Sequence, residues 1–199
     1  MARRQSRDPL ERLDTPAFMT RALVQHMPAI AKHYVVEPCA GAGAIVDVLN
    51  AAGTRTMAFD TEPRADHVMR GDTIAWTDWT TLGTVYKPTA LITNPPFSLG
   101  AEYWRLGRAF DVTALLVRLT WLEVTRDRAD IADPDALVIM PRSPFTGPGA
   151  VAADGTPLVG VDSVTVCWAI WAKDKAVLPA KPITRLSRAD KAALSAEAA

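Results

Sequence analysis

Asn94-Pro95-Pro96-Phe97 directly follows the apolar run Ala90-Leu91-Ile92-Thr93. Two prolines fix the backbone and remove two N–H donors, so the local carbonyls stay free as acceptors. The Asn94 side chain adds a carbonyl oxygen, and Phe97 adds a flat apolar face. A planar group carrying an NH2 suits this set. Its two hydrogens go to the Asn94 oxygen and the Pro95 carbonyl while the plane stacks on Phe97. A Pro-rich turn with a core phenylalanine is the blander reading, and the weaker one for this tetrapeptide in this position.

Two further polar clusters precede it. Tyr34-Val35-Val36 runs into Glu37-Pro38-Cys39-Ala40-Gly41-Ala42-Gly43, where glycines allow a sharp turn and close approach to a ligand. A dinucleotide fingerprint would place Gly or Ala three positions after Gly43, where Val46 stands, and no phosphate-binding Gly-Lys-Ser/Thr loop occurs. An acid before the turn, Glu37, suits an ammonium group better than a pyrophosphate. Asp60 then ends the run Thr56–Phe59, where a carboxylate can accept both hydroxyls of a ribose, with Glu62 as a neighbouring candidate. A surface acid capping the next helix explains Asp60 equally well when it is taken alone.

These clusters need elements that bring them to one edge. From Tyr34 to Lys173 short apolar strands alternate with helical patterns, which predicts a parallel sheet wrapped by helices, with the three clusters at strand C-terminal ends. Thr15 is expected to cap a first helix that has Pro16 at its first position. Ile45, Val48, Leu49 and Ala52 have helical spacing, closed by Gly53. Strands are expected at 34–36, 56–59, 67–70, 90–93, 114–117, 136–140 and 164–171, the last antiparallel. Residues 143–162 read as a long loop. After Lys175 a Pro-containing linker leads to a capping box at Ser187–Asp190 and a short terminal helix. The expectation is one domain over residues 1–175, with residues 176–199 as linker and helix.

Composition narrows the class. Hydrophobic residues make up 49% and charged residues 22% of 199, the values of an ordinary soluble domain. No run is long and apolar enough to suggest a membrane span, and no secretory signal stands at the N-terminus. Cys39 and Cys167 lack metal or redox spacing, and His26, His33 and His67 share no ligand spacing, so a metal-free, cytoplasmic, reduced protein is expected. The net charge of zero counts mildly against a polyanionic partner. Basic residues do cluster at Arg3, Arg4, Arg7 and Arg12, and again from Lys173 to Lys191. Solvated surface is the default for these, as it is for Arg118, Arg126 and Arg128, which could otherwise touch phosphates. Trp76 and Trp79 could wall a purine, and packing explains them as well.

Taken together, the motifs over roughly Thr15 to Trp171 resemble the class I amino-methyltransferases, whose signature is Asn/Asp/Ser-Pro-Pro-aromatic at the end of strand four. The motif order is similar to small phage-type DNA N6-adenine methyltransferases. This resemblance implies a Rossmann-like α/β fold, a mostly parallel seven-stranded sheet with an antiparallel last strand and helices on both faces. It implies S-adenosylmethionine as cofactor, held by Thr15, Pro16, Phe18, Glu37, Pro38, Ala40, Gly41, Gly43, Asp60, Thr61, Asp72, Thr73 and Asn94. Asn94, Pro95, Pro96 and Phe97 become the catalytic set. Phe97, Ser98, Arg142 and Phe145 become the substrate-binding set, with Phe145 helping to hold the target base. Pro141–Phe145, then Asp162-Ser163 and the Trp168 strand, carry the phage-type likeness.

The resemblance implies transfer of a methyl group to the N6 amine of adenine in DNA, with base flipping or a single-stranded substrate. No separate target-recognition domain is expected, which leaves RNA as target, or a partner protein that supplies specificity, in play. Rival readings are an RNA adenine or protein glutamine methyltransferase, and a non-catalytic nucleic-acid-binding subunit that kept the fold. Intact Asp60, Asp72 and Asn94 argue against the last. Cytosine is disfavoured because that activity goes with Ser at the first motif position, and a nicotinamide-dependent oxidoreductase by Val46.

Overall fold

The computed structural model describes residues 13–75, 87–125, 130–143, 145 and 164–196. Trp76, Trp79, Arg126, Arg128, Asp162, Ser163, the N-terminal arginines and most of the 143–162 segment lie outside them.

Along the chain come α1 (Ala17–His26), β1 (Tyr34–Glu37), α2 (Ala44–Ala51), β2 (Arg55–Asp60), β3 (Met69–Arg70) and β4 (Ala90–Thr93). Then follow α3 (Gly100–Gly107), β5 (Val112–Arg118), α4 (Trp121–Thr125), β6 (Ala136–Ile139), β7 (Val166–Ala172), β8 (Ile183–Arg185) and α5 (Arg188–Ala196). The sheet order is β3-β2-β1-β4-β5-β7-β6-β8. β7 is antiparallel to both its neighbours, and the other pairings are parallel. The expected seven strands are therefore eight. The stretch read as a linker supplies the eighth, because Leu137, Val138 and Ile139 pair in parallel with Ile183, Thr184 and Arg185.

Strand periodicity sorts the apolar residues onto two faces. Ala90 and Ile92 of β4, with Val112, Ala114 and Leu116 of β5, join Trp168 of β7 in a core under α1, α2 and α5. Leu91, Leu115, Val117 and Cys167 point the other way, onto Tyr103 and Trp104 of α3 and onto Phe110. Burial on both faces explains why these strands read as unbroken apolar runs.

Local signals set the ends of the helices. α2 closes in a Schellman motif: Thr54 N–H donates to Leu49 O at 2.9 Å and Gly53 N–H to Asn50 O at 2.9 Å, with Gly53 at φ 82. α5 opens on a reciprocal box, Ser187 N–H to Asp190 Oδ2 at 2.7 Å and Asp190 N–H to Ser187 Oγ at 3.1 Å. These two bonds also hold the Asp190 carboxyl below its ordinary value. The start of α1 differs from expectation. Pro16 is the N-cap residue and no side chain caps the helix, so Thr15 stands one residue too early and its hydroxyl is free for another partner. α1 is pinned to the sheet by the buried Trp168 indole, which donates to Met19 O at 2.8 Å.

Candidate active site

β1 and β4 are adjacent, while the chain runs outward from β1 to β2 and β3 on one side and from β4 to β5 on the other. At such a switch point the loops after neighbouring strands diverge and leave a crevice at the carboxyl ends. A cavity of about 410 Å³ opens there. Its walls include Thr15, Glu37, Pro38, Ala40, Gly41, Asp60, Thr61, Asp72, Asn94, Pro96 and Ser98. The three separate sequence clusters thus meet in one place.

The glycine turn is held from below. Asp60 accepts from Gly41 N–H through Oδ2 and from Glu62 N–H through Oδ1, both at 2.8 Å. Ala40 N–H donates to Phe59 O at 2.8 Å, and Gly43 N–H to Ala40 O at 2.7 Å. Gly41 and Gly43 have φ of 55 and 86, the left-handed region that glycine takes without strain. Asp60 therefore ties β2 to the turn and presents its carboxylate to the cavity. Asp72, at the rim, accepts from Ile74 and Ala75 N–H through Oδ1, each at 3.2 Å.

Glu37 is 1% exposed, and its Oε2 has no hydrogen-bond partner among the described residues. Burial drives its pKa well up; the Val46 N–H counters this, and the carboxylates of Asp60 and Asp47 add to it. A buried carboxyl with an unmatched oxygen in a cavity wall is costly unless a donor or cation arrives. Cys39 also lines the cavity. Burial pushes its thiol up to about 12, partly offset by the Tyr103 and Thr93 hydroxyls, which favours the protonated thiol at neutral pH.

Asn94 follows the last residue of β4. Its Nδ2 donates to Leu13 O at 3.3 Å and to Thr15 Oγ1 at 3.1 Å. Both amide hydrogens are thereby used, and the atom left for a ligand is the acceptor oxygen. The strap from Leu13 to Thr15 is held a second time, by the ion pair of Asp14 with Arg64. Thr15 earns its place through Asn94 and not as a helix cap.

Several expected residues stand elsewhere. Phe18 is buried in the core, with Lys191 Nζ 5.2 Å from its ring centre. Pro16 starts α1 outside the cavity wall. Gly43 is covered by His67, which pairs with Asp47 at 3.2 Å. Thr73 lies one layer behind the wall, its hydroxyl 3.3 Å from the Tyr103 hydroxyl. Pro95 is buried. Phe97 is half-buried beside the cavity, with the Arg118 guanidinium carbon 4.1 Å over its ring. Arg142 is exposed and outside the cavity wall. Phe145 is the clearest correction: at 4% exposure it packs in the main core, so its faces are closed to a base.

The cavity also uses Asp14, Arg64, Ile74, Leu99 and Tyr103, none of which the motifs single out. Tyr103 had a signal in its place on the helix after Asn-Pro-Pro-Phe. Arg64 had none, because its partner Asp14 is 50 positions away.

No protein-family model and no curated protein matches this sequence. Solved structures do. A candidate RNA methyltransferase of Pyrococcus horikoshii superposes with a TM-score of 0.58 at 14% identity, over 85% of this chain and 92% of that one. A candidate class I S-adenosylmethionine-dependent methyltransferase of Listeria monocytogenes gives 0.55 at 11% identity, over 92% and 70%. The fold is that of the class I methyltransferases. A modification subunit of a candidate type I restriction enzyme from Vibrio vulnificus gives 0.52 at 12% identity, over 87% of this chain but 46% of that one. This chain therefore spans about half the length of that subunit. The likeness is one of methyltransferase architecture; among the described residues no helix is long and apolar enough to cross a membrane.

Proposed function

We propose that this protein transfers a methyl group from S-adenosylmethionine to the exocyclic N6 amine of adenine in DNA. The observation that carries the reading is the fixed Asn94 amide at the end of β4, its two hydrogens committed to Leu13 O and Thr15 Oγ1.

The cavity fits the cofactor on chemical grounds. The unmatched, buried Glu37 oxygen calls for a cationic donor, which the cofactor's ammonium supplies. Asp60 offers remaining lone pairs to ribose hydroxyls, and Asp72 stands at the rim for the adenine end. When bound, the cofactor supplies a sulfonium methyl that is already activated, so the protein needs no covalent nucleophile.

The chain's own task is positioning. The adenine N6 lone pair is delocalised into the ring and attacks poorly. Asn94 Oδ1 and the Pro95 carbonyl accept the two N–H hydrogens and favour a pyramidal nitrogen with its lone pair toward the methyl. Acceptors held in advance act without reorganising during reaction, and in-line placement removes orientational entropy from the barrier. Phe97 takes over stacking for a base drawn out of a duplex. A partner protein that contributes target recognition fits the same reading, since one structural neighbour is by name a subunit.

The deciding experiment is tritiated methyl transfer to duplex DNA, single-stranded DNA, RNA and a protein extract, followed by nucleoside analysis. N6-methyladenine in DNA is expected. Label confined to RNA or to glutamine in protein would overturn the substrate and keep the chemistry; no label despite cofactor binding would overturn the activity. Asp60→Ala should raise the cofactor Kd by about tenfold or more, the scale of losing a charge-assisted hydrogen bond. An unchanged Kd by calorimetry would remove Asp60 from the ribose role.

A further inference from the structure

Arg118 closes β5, the neighbour of β4. Thr93 pairs in register with Leu115, so three residues further on Arg118 stands level with the Pro-Pro-Phe turn. Its guanidinium carbon lies 4.1 Å over the Phe97 ring centre. The side chain is exposed, and among the described residues no carboxylate pairs with it. Among the described residues Phe97 belongs to neither large core cluster, and its ring is half-buried. Phe145, which the resemblance expected to help hold the target base, is closed off in the core.

We propose that Arg118 is the second jaw of the substrate site, holding a planar base between its guanidinium and the Phe97 ring. This rests on the nucleic-acid reading above and deepens it. A guanidinium is flat, permanently charged and weakly hydrated, and it stacks on aromatic faces as an ammonium does not. A base pulled from its stack loses neighbours on both faces, and Phe97 replaces one of them. Guanidinium planes serve the same purpose as aromatic rings toward unstacked bases. In the present arrangement Arg118 covers the ring itself. Admitting a base requires it to lift by about 3.4 Å, one stacking distance, which a long exposed side chain can do by rotamer changes. The cavity acids other than the Arg64-paired Asp14, namely Glu37, Asp60 and Asp72, suit a cationic ligand, whereas Arg118 brings positive charge beside Phe97, as a polyanionic chain requires.

The test uses the full chain with saturating S-adenosylmethionine and a short adenine-containing single-stranded DNA oligonucleotide. Arg118→Ala and Arg118→Lys should each raise the oligonucleotide KM by about tenfold, the middle of the range for losing one stacking partner, with kcat within about twofold. The cofactor Kd, which also reports an intact fold, should not move. With 2-aminopurine at the target position, wild type should quench its fluorescence more than either variant. A lysine variant with wild-type KM would overturn the clamp in favour of a simple phosphate contact. An alanine variant with wild-type KM would overturn it outright while leaving the activity standing. A wild-type protein that binds cofactor and labels no adenine polymer would overturn the activity and the clamp together.

Discussion

Asn94 and Glu37 use opposite means to prepare the same cavity. Asn94 is satisfied on its donor side and open on its acceptor side, so its orientation is set before a substrate arrives. Asn94→Ala should therefore lower kcat by about 100-fold or more, the scale seen for a lost transition-state hydrogen-bonding group, with cofactor affinity nearly unchanged; full activity would sink the mechanism. Thr15→Val, which keeps shape and removes the hydroxyl acceptor, should lower kcat by about tenfold through the freed amide, while Thr15→Ser restores it. Equal activity in all three proteins would show that Leu13 O alone orients Asn94. Glu37 is instead unsatisfied, and its folded pKa is raised above the ordinary 4.5. From 4.5 upward the folded state keeps a proton that the unfolded state has lost, so this group's contribution is complete below 4.5 and declines as pH rises toward the raised value. Glu37→Gln should flatten that decline and stabilise the ligand-free protein at neutral pH, read from thermal melts across a pH series. Cofactor affinity should rise with pH in the wild type and not in the variant. Parallel stability profiles would exclude Glu37 as the titrating group.

The elements that place these residues show that a backbone angle and its surroundings are separate costs. Gly43 and Gly53 have similar φ, 86 and 82. A methyl at Gly53 would meet nothing within 4 Å, whereas one at Gly43 would come 2.2 Å from His67 Nε2. Gly53→Ala should cost about 1–2 kcal/mol, the left-handed penalty alone. Gly43→Ala should cost more by about 1–3 kcal/mol, the usual range for overpacking, and in a His67→Ala background the two should converge. Urea titration measures all of these, and equal costs in wild type would mean that His67 swings aside freely. In the sequence Gly43 belongs to the ligand turn and Gly53 closes a helix, but nothing local tells which of them has room for a side chain. Only the chain distant in sequence, at His67, separates them.

At the scale of the molecule, the segment after Lys175 is part of the sheet. β8 covers the edge of β6, Leu194 of α5 is buried at 3% exposure, and Arg21 Nη1 donates to Leu194 O at 2.8 Å. Truncation after Lys175 should expose a strand edge and the apolar side of α1, lowering the melting temperature and promoting aggregation. An unchanged melting temperature and a monomeric elution profile would show that the segment is dispensable. The sequence alone determined the α/β alternation, the antiparallel seventh strand, the Schellman and Ser187–Asp190 caps, and the gathering of Glu37, Asp60 and Asn94 at one sheet end. All of these depend on near neighbours or on strand order, through hydrophobic period, turn chemistry and the switch-point rule. The tertiary structure alone decided the eighth strand, the core position of Phe145, the Asp14–Arg64 strap, the use of Thr15 to orient Asn94, and Arg118 over Phe97. Ile183-Thr184-Arg185 is too short and too exposed to carry a strand signal of its own, and the others are contacts between residues up to 81 positions apart. Such pairings are set by how packed elements meet, and no local pattern records that.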